Sequence, residues 1–143
     1  MTDENTEVYN DHLVLIGGLS GAGKSASLRN IRNQERWVYT CSEAGKRLPF
    51  KNSFIQVNIT DPMEVMDIFD DCIDNIENVD GIIVDTISFL MDMFESQYVI
   101  PATNGMQAWS QYAQFFKRLM QEKVPAFKKP VLNQFPELEF GCN

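Results

Sequence analysis

Histidine occurs once, at His12, and the three cysteines, Cys41, Cys72 and Cys142, stand far apart with no CxxC pair. A zinc site needs clustered ligands, so none is expected. All three cysteines read as plain thiols, as in a reducing compartment. No apolar run approaches the ~20 residues of a membrane-spanning helix. The opening stretch MTDENTEVYND is acidic and polar, the reverse of a secretory signal or transit peptide. A soluble, intracellular protein is therefore expected. Cations are also scarce: 12 Lys and Arg face 20 Asp and Glu, giving a net charge of −8. Such a surface repels nucleic-acid backbones. Only KRLPFK (46–51) and FKK (127–129) could form a local basic patch, and scattered solubilising lysines are the simpler reading.

What is present suits one domain. With 143 residues, 44% of them apolar, the chain can bury a sizeable core. Residues 1–11 read as a mobile acidic arm. HLVLIGG is a continuous apolar run ending in glycines, as in a buried parallel strand. Residues 24–33 read as a helix with Leu28 and Ile31 inward. WVYTC (37–41) and SFIQVNI (53–59) read as strands joined by the turn-rich EAGKRLPFKN. The next helix is the clearest: Asp61 can cap it, Pro62 suits its first turn, and Glu64 completes a capping box. Val65, Ile68, Phe69, Cys72, Ile73 and Ile76 form its apolar stripe. Asp67, Asp70, Asp71 and Asp74 lie on the other side, a solvated face rather than a metal site.

GIIVDTISFL (81–90) reads as a fourth strand, followed by a less regular stretch from Met91 to Asn104. Residues 105–124 predict a long amphipathic helix with Met106, Trp109, Ala113, Phe116 and Met120 on its core side. PVLNQF could begin a fifth strand, but the stretch 125–143 has no clean period. Strands alternating with helices predict a three-layer α/β domain with a mostly parallel sheet.

The chemistry starts at GGLSGAGKS (17–25). Gly18 to Ser25 fits G-x-x-x-x-G-K-[ST] in full, between a strand and a helix. Gly18, Gly21 and Gly23 let backbone N–H groups turn inward as an anion nest, with Ser20 and Ala22 in the same loop. The helix that follows, through Ala26, aims its positive end at the phosphates. Lys24 supplies a point charge to the β and γ phosphates, and the Ser25 hydroxyl is a ligand for Mg²⁺.

Asp85 ends the apolar run Gly81–Asp85, so its carboxylate should sit at the carboxyl edge of the sheet, where ligands of open α/β sheets bind. There it can hold Mg²⁺ through a water, the Walker-B role. Thr86 either positions a water or simply ends the strand. Hydrolysis also needs a group to orient or deprotonate water. Glu43, just past the second strand in VYTCSEAG, is the first choice, and Glu95 the weaker one.

The cradle GLSGAGKS, a glutamate after the next strand, and GIIVDTISFL together resemble the RecA-like branch of P-loop ATPases. SEAGKRLPF and FLMDMFESQYV…AWSQYAQFFKRLM are similar to phage-encoded nucleotide-binding proteins of the recombination and single-strand annealing type. The likeness covers roughly residues 12–130. It implies ATP with Mg²⁺, phosphate and metal binding by Lys24 and Ser25, Asp85 as the Walker-B carboxylate and Glu43 as the catalytic glutamate. It also implies a location in the host cytoplasm, no membrane, and single-stranded DNA as a partner. Assembly into a homo-oligomer, with an arginine finger from a neighbour, would follow. In that family the strand after the Walker-B strand inserts between it and the cradle strand and carries a polar sensor. Here PVLNQF would have to be that strand, short or poorly formed, with Asn133 or Gln134 as sensor. Residues 131–143 are thus expected to be a divergent tail on a core truncated near codon 131. Two other readings compete. A small P-loop kinase would need lid arginines, and only Arg118 follows residue 85. A non-catalytic nucleotide-binding remnant would suit the acidic surface and the missing strands. No adenine-contacting motif is present, although Tyr9 or Phe89 could stack a base.

Overall fold

The computed structural model describes residues 13–16, 26–43 and 47–134. The acidic arm, the whole glycine-rich motif 17–25, residues 44–46 and the stretch 135–143 lie outside them. Five strands form one parallel sheet: β1 (Leu13–Ile16), β2 (Trp37–Cys41), β3 (Ile55–Asn58), β4 (Gly81–Asp85) and β5 (Val131–Gln134), in the order β1-β5-β4-β2-β3. The helices are α1 (Met63–Asp74), α2 (Ile87–Phe94), α3 (Gly105–Arg118) and α4 (Val124–Phe127). The α/β class and the parallel sheet agree with the sequence reading.

Alternation along the strands sorts side chains to two faces. Val38, Ile82, Val84 and Val131 meet Val65, Phe69 and Cys72 of α1, Ile87 and Leu90 of α2, and Val124 and Phe127 of α4. On the opposite face Tyr39, Cys41, Ile83 and Leu132 meet Leu28, Phe54, Leu48 and Phe50. Here the cover is a short 3-10 helix, Ala26–Asn30, and the irregular crossover from β2 to β3. β4 is buried at all five positions, which explains its unbroken apolar run. Gly81 lies in register with Trp37, and a Cβ there would come within 2.3 Å of the indole ring.

The α1 start behaves as its sequence predicts. Asp61 Oδ1 accepts from the Met63 N–H at 3.0 Å, and Glu64 Oε1 accepts from the Asp61 N–H at 2.8 Å. The Tyr98 hydroxyl donates to both Asp61 oxygens, at 2.8 Å each. This links the α1 cap to the widened helical turn Glu95–Val99 that follows α2.

Three expectations change. First, 81–90 is not one strand: β4 stops at Asp85 and α2 begins at Ile87. Thr86 makes the break, its Oγ1 accepting from the Phe89 N–H at 3.3 Å as an N-cap. Second, the long helix from Gly105 turns a different face inward. Ala108, Phe115 and Leu119 are buried, whereas Met106 is 88% exposed, Trp109 48% exposed, and Ala113 exposed. Phe116 and Met120 do pack, though only in part. Phe94 decides the rotation: its ring lies 4.9 Å from Phe115 and 5.6 Å from Tyr112. The helix also widens at Leu119–Lys123 before α4. Third, within 24–33 the described part is only a 3-10 turn with Leu28 buried. Asn33, with a left-handed φ of 56°, precedes a second 3-10 turn, Gln34–Arg36.

Candidate functional site at the carboxyl edge of the sheet

Strand register builds the site. Ile16, Gln134, Asp85, Cys41 and Asn58 fall in one row across the five strands, at their carboxyl ends. In this row Ile16, just before the glycine-rich motif, stands two strand spacings from Asp85, roughly 10 Å. Gly18, Ser20, Gly21, Ala22, Gly23, Lys24 and Ser25 lie outside the described residues. Ala26 is described, as the first residue of the 3-10 helix. The motif is therefore bracketed by a strand and a helical turn.

Asp85 is fully buried, and its Oδ2 accepts a hydrogen bond from the Tyr39 hydroxyl. Tyr39 lies two residues before Cys41 on β2, so period two puts both on the Asp85 side. Burial first, and then the bonded carboxylate, push the Tyr39 pKa far above its ordinary value. The phenol thus stays a donor at any working pH. The peptide between Asp85 and Thr86 is cis. Ser42 ties the ends of β2 and β4 together. Its N–H donates to the Asp85 carbonyl at 2.9 Å, and its hydroxyl to the Thr86 carbonyl at 3.1 Å.

Glu43 comes next in the chain, half-buried, and so shares this edge with Asp85. The Cys41 thiol donates to the Glu43 carbonyl at 3.3 Å. A cavity of about 420 Å³ opens here, lined by Ser42, Glu43, Asn58, Thr60 and Met93 among others. Glu95 is elsewhere, past the far end of α2, where its charge helps raise the pKa of Tyr112, an effect led by burial. Thr86 is taken up as a helix cap. Phe89 is 42% exposed on the first turn of α2, while Tyr9 lies outside the described residues.

β5 sits between β1 and β4, the place the resemblance allots to PVLNQF. It is short, as expected, but is paired along all four residues on both sides. Asn133 is 1% exposed and faces the helical side with Val131 and Val84. Its Nδ2 has no hydrogen-bond partner. Leaving such a donor unpaired costs roughly 1–3 kcal/mol. Among the described residues no three His, Cys, Asp or Glu side chains cluster as a metal site. The aspartate face of α1 is partly engaged by Lys123, whose Nζ reaches Asp70 at 2.6 Å. No helix among the described residues is long and apolar enough to cross a membrane.

Sequence reasoning missed Tyr39 and Ser42. A tyrosine inside an apolar strand reads as core, and only the β2–β4 register reveals its partner. No protein-family model matches the chain, and no curated protein is similar to it.

Proposed function

We propose that this chain is a RecA-like P-loop protein that binds Mg-ATP at the carboxyl edge of the sheet and hydrolyses it in phage DNA recombination or replication. The strand order carries the reading. A cradle motif follows β1, a buried aspartate ends β4, and β5 fills the slot between them. That insertion is what the resemblance expects, and a chance match of the glycine motif would not predict it.

The donor set fits a magnesium-bound triphosphate. Asp85 presents a buried carboxylate whose orientation Tyr39 fixes, and Ser25 would supply the hydroxyl ligand. The bound metal supplies charge neutralisation on the phosphates. Lys24 would neutralise the terminal phosphates. Glu43 takes the proton of the attacking water at its carboxylate. The Ser42 bonds to the end of β4 hold the Glu43 backbone in register with Asp85.

Thermal unfolding with and without Mg-ATP tests the reading. Ligand at a hundredfold its Kd stabilises the fold by about 2.7 kcal/mol. The expected result is a raised Tm in the native chain and none in Lys24→Ala. Turnover abolished in Glu43→Gln, with the Tm shift kept, assigns the glutamate. A native chain with no shift overturns nucleotide binding. A shift without any turnover marks a non-catalytic binding protein.

A further inference from the structure

Cations are not only few in this chain; they are segregated. No lysine, arginine or histidine lies between Lys51 and Lys117, a stretch that holds the aspartates of α1. Most cations on or beside the helical side are engaged. Arg36 pairs with Asp80 at 2.9 Å, Lys123 with Asp70 at 2.6 Å, and Arg118 with Glu122 at 3.3 Å. Lys129 donates to the carbonyls of Ile76 and Val79. On the opposite side Arg47 and Lys51 are exposed, and no ion pair among the described residues reaches either. Exposed Arg29 and Arg32 belong to the same layer. Gln34 joins that segment to the crossover, donating to the Arg29 carbonyl at 3.3 Å and accepting from the Ser53 N–H at 3.0 Å.

Arg47 and Lys51 flank a concavity of about 460 Å³ between the crossover and the edge strand β3. That volume lies within the range of small-ligand sites. Its wall includes Phe50, Asn52, Gln56 and Asn58. Asn52 fixes the turn: its Oδ1 accepts from the Phe54 N–H at 3.2 Å, and its Nδ2 donates to the Phe50 carbonyl at 3.4 Å. The Phe50 ring is half-buried and set edge-on to Phe54 at 6.4 Å. A held aromatic ring therefore lines the same concavity as two cations that make no ion pair among the described residues. Gln56 and Asn58 bond to each other at 3.2 Å, on the sheet edge facing the same space.

We propose that this concavity binds the phosphate esters of nucleotides. Arg47 offers the planar fork that matches phosphate oxygens, and Lys51 a second positive charge. Phe50 offers an aromatic surface for a base, and the Gln56 and Asn58 amides offer hydrogen bonds. The ligand is either a single strand or a free nucleotide, since both present a phosphate beside an aromatic base. The site uses none of residues 17–25. It meets the carboxyl-edge cavity at Asn58, which lines both.

The test is fluorescence anisotropy with a fluorescein-labelled oligothymidylate and, separately, a labelled thymidine mononucleotide, at about 50 mM salt. It uses the full chain carrying Lys24→Ala, so that cradle binding does not contribute. At least one probe is expected to bind saturably. Arg47→Gln with Lys51→Gln should weaken that binding about tenfold or more. Lys117→Gln with Lys128→Gln, the control of equal charge, should leave it within twofold. For the oligonucleotide, the double variant should also lower the salt slope by about 0.7 for each phosphate that the two side chains no longer neutralise. Preference for the oligonucleotide identifies a strand, and equal affinity a free nucleotide; either supports the site. No binding of either probe, or equal loss in the control pair, overturns it. If the double variant melts early, Arg47→Lys with Phe50→Leu takes its place, with the same weakening expected. Failure here leaves the Mg-ATP melting shift untouched, so the two readings fail separately.

Discussion

The two faces of the sheet are covered by different materials. On one, α1, α2 and α4 press regular apolar stripes against Val38, Ile82, Val84 and Val131, and Phe94 gathers the rings of Tyr112, Phe115 and Phe116 just beyond. On the other, among the described residues, the 3-10 turn Ala26–Asn30 and the crossover residues Leu48, Phe50 and Phe54 cover Tyr39, Cys41 and Ile83. The first face is acidic outside and regular inside. The second holds the helical turn that follows the glycine-rich motif, the Tyr39–Asp85 bond, and cations with no ion pair among the described residues. The Tyr39–Asp85 bond and the exposed cations thus lie on the less regular face, the arrangement expected if binding elements come from the less stable parts of a fold.

Denaturation of paired variants tests that contrast most directly. Phe94→Ala empties the centre of the aromatic cluster and should cost about 4 kcal/mol. Leu28→Ala removes a side chain just as buried from the thin layer and should cost about 2 kcal/mol, because that layer can settle. Equal costs would break the comparison. Gly81→Ala should cost about 2 kcal/mol by driving a methyl into the Trp37 ring, and Gly81→Ala with Trp37→Leu should recover part of it. Tyr39→Phe removes a buried donor from a carboxylate and should cost about 1.5 kcal/mol. If Mg-ATP binding follows the proposal, the same variant should also need more Mg²⁺ to reach its full Tm shift. Unchanged Mg²⁺ dependence would reduce Tyr39 to a packing residue.

On the helical side, Asp61→Ala loses the α1 cap and the Tyr98 bond together and should cost about 1 kcal/mol, read from urea midpoints. The smallest effect is a pH dependence. Burial first, and then nearby Asp71, push the Cys72 thiol from 9.0 up to about 11. The folded state therefore keeps a proton that the unfolded chain releases above pH 9. Stability is fully present below pH 9 and falls as pH rises toward 11. Cys72→Ala should flatten that part of the curve.

Much of this was legible in residues alone. WVYTC matches β2 residue for residue, because β-branched and aromatic side chains without polar interruption suit a buried strand. The α1 cap was written in Asp61, Pro62 and Glu64. α2 was hidden, because Ile87, Leu90 and Phe94 continue an apolar run that period two and period 3.6 fit equally well over so few residues. The α3 face was misread because that helix carries two apolar stripes, and only the position of Phe94 selects between them. At the candidate site, the positions of Asp85 and Glu43 at the carboxyl edge could be read from their places after strands. The Tyr39 partner could not, since its bond to Asp85 exists only through the register between β2 and β4.

Among the described strands β1 touches the sheet through β5 alone, in registers such as Leu13 with Val131. On a ribosome adding 5–20 residues per second, the strand leading into the cradle waits about 10 s for its neighbour. Until then β2, β3 and β4 have each other, while β1 has none of them. The strand leading into the glycine-rich motif is made more than a hundred residues before the strand that pairs with it. Emergence of Val131–Gln134 is thus the event after which a nascent chain first gains the row from Ile16 to Asp85.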